Sequence, residues 1–97
     1  MELYLIVIGR TATGYCAHCP DAPGCASVGK TVESVVANMR SALDFHFEGL
    51  LEDGDEIPRP GGVQAYSVAM KDFDASRELL AHVPIETSRF AAMAVRV

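Results

Sequence analysis

Between Gly14 and Thr31 the sequence compresses a strand, a proline-bounded turn, a second strand and a helix start into 18 residues. The turn reads Pro20-Asp21-Ala22-Pro23-Gly24. Pro20 and Pro23 fix φ, and Gly24 is free to take the positive φ that a β-branched residue would resist. A turn built this way holds one shape at the rim of a sheet. It carries no reactive group, which suits recognition better than catalysis.

The elements on either side follow from periodicity. Glu2 to Gly9 is a near-continuous apolar run, rich in β-branched residues, as expected of a central strand buried on both faces. Tyr15 to Cys19 alternates, with Tyr15, Ala17 and Cys19 on one face and Cys16 and His18 on the other. Cys25 to Lys30 reads as a third short strand. Thr31 is a good N-cap, and Val32, Val36, Met39, Leu43, Phe47 and Leu50 recur at spacings of three and four. Val35, Ala42 and His46 widen that stripe, so a helix is expected from Thr31 to Leu51. Its core-facing positions Val36, Met39, Leu43 and Phe47 should meet Leu5 and Val7 of the first strand.

Asp53-Gly54 stops this helix, and Ile57-Pro58-Arg59-Pro60-Gly61-Gly62 is a connector. A short helix is expected over Val63 to Met70. Glu78 to Glu86 reads as a strand that Pro84 confines to a sheet edge. It would lie beside the first strand, parallel to it. Met93 to Val97 alternates like one more strand. The order β-β-β-α-(α)-β gives an α+β domain, a small antiparallel or mixed sheet with one long helix packed on it. The expected division is a domain over 1–88 and a terminal strand over 89–97. Such an open strand, with Met93, Val95 and Val97 on one face, favours a homodimer or higher homo-oligomer.

Several function classes are disfavoured. No apolar run approaches the roughly 20 residues that span a membrane, and Met1-Glu2-Leu3 is no signal-peptide start, so a cytoplasmic location is expected. The formal net charge is −5, and Asp44, Glu48, Glu52, Asp53, Asp55 and Glu56 fall within 13 residues without a Lys or Arg. That stretch is either a solvated helix end or a patch for a basic partner, and it cannot supply phosphate contacts to nucleic acid.

Three cysteines and three histidines invite chemistry that the pattern does not sustain. Cys16 and Cys19 are spaced like a redox pair, but in an extended strand their sulfurs point to opposite faces. No helix N-terminus follows to lower a thiol pKa. Cys16, His18, Cys19 and Cys25 do not converge as a zinc tetrahedron. His46 falls in the apolar stripe, as a core histidine would, and His82 has no evident partner. Gly24 to Thr31 imitates a phosphate loop, yet Pro20 and Pro23 stand where that loop needs a buried parallel strand. No cofactor or metal is expected.

The chain resembles the HicB-type antitoxins. The resemblance rests on Tyr4 in a buried strand, Gly14-Tyr15, Pro20-Asp21-x-Pro23-Gly24-Cys25, Gly29-x-Thr31, and the exit Leu51-Glu52-Asp53-Gly54 with Ile57-Pro58-x-Pro60. It covers about residues 3 to 60, and more loosely 78 to 97. It implies a degenerate RNase H-like domain without nuclease activity. It also implies a partner, a small basic HicA-type toxin that cleaves mRNA and whose active site is occluded. Many members add a C-terminal DNA-binding module for operon autorepression, of which Met93–Val97 would be only a first strand. The candidate toxin contacts are Pro20, Asp21, Pro23 and Gly24 in the turn, with Glu52, Asp53, Asp55 and Glu56 beyond the helix. The competing reading is a stand-alone small-molecule or peptide-binding module of the same fold.

Overall fold

The computed structural model describes residues 1–88 and residue 90. Its elements run β1 (Glu2–Arg10), β2 (Tyr15–His18), β3 (Ala26–Gly29), α1 (Val32–Glu52), α2 (Val63–Met70) and β4 (Glu78–Ile85). The strands form one antiparallel sheet in the order β3-β2-β1-β4, with α1 laid across one face. The α+β class expected from the sequence is the observed one. The terminal strand expected at Met93–Val97, and self-association through it, lie outside the described residues.

β1 is an inner strand, between β2 and β4. Its five residues Tyr4 to Ile8 are all buried, three under α1 and two on the opposite face. The face assignment differs from expectation. Tyr4, Ile6 and Ile8, rather than Leu5 and Val7, join Val35, Met39, Leu43 and Phe47 in the core. Pairing decides this. Ile8 stands opposite Ala17 and Tyr4 opposite Val83, and opposed residues share a face. Val36 is only partly buried, while Val35 is fully buried and takes its place.

β4 pairs with β1 antiparallel, from Glu2 opposite Ile85 to Gly9 opposite Glu78, and not parallel as expected. The chain does not return to β1 through α1 alone. It passes the 57–62 connector and α2 first, and so re-enters the sheet from the other end. Pro84 sits in this edge strand, where a missing N–H is tolerated.

Local chemistry sets the limits of α1. Thr31 Oγ1 accepts from the Ser34 amide and Ser34 Oγ accepts from the Thr31 amide, both at 3.0 Å, a reciprocal capping box. At the far end Gly54 takes φ +80°, the Asp55 amide donates to the Leu50 carbonyl at 2.8 Å and the Gly54 amide to Leu51 at 3.1 Å. That is a Schellman stop.

α2 lies against the second face of the sheet through buried Ala65. His82, expected to lack a partner, meets it there: Tyr66 Oη is 2.6 Å from His82 Nε2.

Candidate functional site

The turn expected at residues 20–24 is held from inside. Ala22 is buried, its amide donates to the Cys19 carbonyl at 3.0 Å, and the Cys25 amide donates to the Ala22 carbonyl at 3.1 Å. Gly24 adopts φ +86°, which favours glycine. The Asp21 carboxylate accepts from the Gly61 amide at 2.9 Å, tying the turn to the 57–62 connector. Tyr4 Oη donates to the Pro58 carbonyl at 2.7 Å and fixes the same connector to the core. Asp21→Ala should therefore destabilise the fold by about 1 to 2 kcal/mol, as loss of a charge-assisted hydrogen bond does. An unchanged urea midpoint would show that the tie carries no weight.

The turn and the end of α1 meet in one open groove of about 370 Å³. Gly24, Cys25 and Ala26 form one wall, and Ala42, Phe45, His46, Gly49, Leu50 and Asp53 form the other. The α1 residues follow the spacing i, i+3, i+4, i+7, i+8, i+11, a second stripe beside the buried one. Phe45 is 79% exposed. His46, expected in the core, is half-buried on the groove wall with its ring 6.1 Å from that of Phe47.

The sequence-predicted contacts divide as follows. Gly24 and Asp53 line the groove together. Pro23, Glu52, Asp55 and Glu56 are exposed beside it, and Asp21, half-buried, accepts from the Gly61 amide. Pro20 lines a smaller hollow of about 180 Å³ on the other face, with Val7, His18, Val68, Ala69, Asp72 and Glu78. Sequence reading missed Phe45 and Gly49. Their signal was the second stripe, which was absorbed into the first.

Two features of the groove wall run against the stability of α1. Gly49 sits in the helix interior, at roughly 0.5–1 kcal/mol relative to Ala, yet a Cβ there would meet nothing within 4 Å. Glu52 and Asp53 lie at the negative end of the helix dipole, and the last turn holds no basic residue.

Two of the three thiols are poorly placed for nucleophilic chemistry. Burial pushes Cys19 up to about 11 and raises Cys25 as well, so both are protonated near neutral pH. Cys16 is exposed and Cys19 buried, on opposite sides of the strand as the alternation requires. Among the described residues no group of three His, Cys, Asp or Glu could hold a metal ion. None of the described helices is long and apolar enough to cross a membrane.

The family described as "HicB_like antitoxin of bacterial toxin-antitoxin system" matches residues 4–97, nearly the whole chain. The chain belongs to this family. A 14.9 kDa protein from the rep-hol intergenic region of Haemophilus phage HP1 is 41% identical over 64 residues, 66% of this chain. The match spans only 48% of that relative's length. Antitoxin HicB3 superposes with a TM-score of 0.77 at 25% identity, over 92% of this chain and 65% of that one. A chain of the HicA3 and HicB3 toxin-antitoxin complex matches with a TM-score of 0.70 at 26% identity, over 88% of this chain and 99% of that one. This HicB-like chain thus shares its sheet and long helix with antitoxins of solved structure.

Proposed function

We propose that this HicB-like domain binds a small basic HicA-type toxin, an mRNA-cleaving ribonuclease, and neutralises it by covering its active site. The observation that carries the reading is the meeting of the rigid turn with the acidic end of α1. Acids placed against the helix dipole weaken the fold locally, and departures of this kind cluster where a surface serves a partner. Family membership and the likeness to a chain of a toxin-antitoxin complex support the same reading. Occlusion is the mode that a rigid turn and an acidic surface favour, and two of the three thiols, Cys19 and Cys25, are buried away from any partner. Operon autorepression would fall to residues other than the acidic stretch, which offers no cations to phosphate.

A gene for a small basic protein is expected beside that of this chain, and the test is co-expression with its product, read by growth and by pull-down. Growth arrest that this chain does not relieve, with no co-purification, would refute the reading. Kinetics test the acidic surface separately. Reversing Glu52, Asp53, Asp55 and Glu56 to Lys should lower the association rate about 10- to 100-fold at low salt and change dissociation far less. Raising ionic strength to about 0.5 M should slow wild type and spare the variant, because the Debye length then falls well below 10 Å. Equal association rates for both proteins at low salt would remove these residues from the encounter surface.

A further inference from the structure

We infer that the groove between the 24–26 turn and α1 receives one apolar side chain of the partner, on a segment whose neighbouring residues are Lys or Arg, with Phe45 as its anchor. This deepens the antitoxin reading above and rests on it.

Three independent observations point to an occupant of this kind. First, Phe45 is 79% exposed at the mouth of the groove, so a large aromatic surface is left open beside a concave, mainly apolar floor. Aromatic side chains that become covered in such pockets carry a large share of interface energy. Second, Gly49 has open space where a Cβ would stand. Among the described residues no neighbour requires glycine at this position in the helix, and its effect is to deepen the groove between Phe45 and Leu50. Third, Asp53 closes one end of the groove, and Glu52, Asp55 and Glu56 stand exposed beyond it. Among the described residues none of these four is in an ion pair. An apolar side chain entering the groove therefore brings its neighbours under a negative potential.

Those features select the occupant. Among the described lining residues His46 and Asp53 offer strong hydrogen-bonding side chains and Cys25 a weak thiol donor, too few to orient a polar small molecule. Nucleic acid would face like charge at the rim. A second copy of this chain would set its own acidic rim against this one, which like-charge juxtaposition disfavours. A basic protein with an exposed aliphatic or aromatic residue matches floor and rim together.

The experiment measures binding of the small basic protein expected from the adjacent gene to wild type, Phe45→Ala and Gly49→Leu, with a thermal melt of each. Leu at position 49 fills the groove from the helix itself. Wild type should bind, and both variants should lose about tenfold or more in affinity while melting at or above the wild-type temperature. Phe45 is exposed, so its truncation keeps the test valid even if Gly49→Leu perturbs the helix. Two variants that bind like wild type would overturn the groove assignment and leave the antitoxin reading standing. A wild-type chain that does not bind at all would instead bring down the antitoxin reading, and this inference with it.

Discussion

Replacing Phe47 with alanine should lower the stability of this domain by about 3 to 5 kcal/mol, the range for truncating a buried phenylalanine. Phe47 is completely buried at the point where three parts of the chain converge. Its ring lies 5.2 Å from that of Tyr4 on β1 and meets the Phe90 ring edge-on at 5.9 Å. Tyr4 in turn holds the connector through Pro58. A cavity at position 47 would thus loosen α1, β1 and the connector together, with little scope for local collapse. Domains of this size unfold with about 5 to 15 kcal/mol, so the loss is a large part of the total. The melting temperature should fall by roughly 15 to 30 °C. Phe47→Leu should recover much of the loss, since it restores most of the buried volume. A fall of only a degree or two for the alanine variant would mean that the aromatic cluster is not the centre of the core.

The elements were legible because each carries a local signal. Thr31 starts α1 as its cap, Gly54 ends it, and α2 spans the expected Val63–Met70. What needed the structure was the relation between elements. β1 is apolar at every position from Leu3 to Ile8, so alternation could not say which residues face the helix. The neighbouring strand could: Ala17 opposite Ile8 orients the whole strand. The direction of β4 was hidden for a different reason, since it depends on where α2 delivers the chain. The groove was hidden by a mismatch of lengths. A helix of 21 residues extends about 31 Å, whereas β2 and β3, four residues each, extend about 13 Å. The far half of α1 therefore runs beyond the short strands β2 and β3. Phe45 and His46 continue an apolar stripe beside the buried one and stay exposed or half-buried on the groove wall. Of the candidate contacts, the turn and the acidic stretch were visible as residue types. Only the fold shows that Gly24 and Asp53 share one hollow while Asp21 binds the Gly61 amide.

Gly29→Ala should be as damaging as many core truncations, although it adds only a methyl group. A Cβ at position 29 would stand 2.5 Å from the Val35 amide nitrogen, 2.8 Å from Val35 Cα and 2.5 Å from Ser34 Oγ. The first two are backbone atoms of the first turn of α1, so relief requires moving the helix rather than a side chain. Ser34 is also half of the capping box with Thr31, and Ser27 Oγ donates to the Val35 carbonyl at 3.1 Å in the same contact. Overpacking of about 1 to 3 kcal/mol, together with a weakened cap, gives an expected loss of roughly 2 to 5 kcal/mol. Gly49→Ala is the matched control. It adds the same methyl group in open space within a helix and should stabilise by roughly 0.5–1 kcal/mol. The two glycines should thus shift the urea midpoint in opposite directions. If Gly29→Ala unfolds at the wild-type midpoint, α1 does not start as close to β3 as the geometry requires, and the seating of the helix that carries the groove would have to be redrawn.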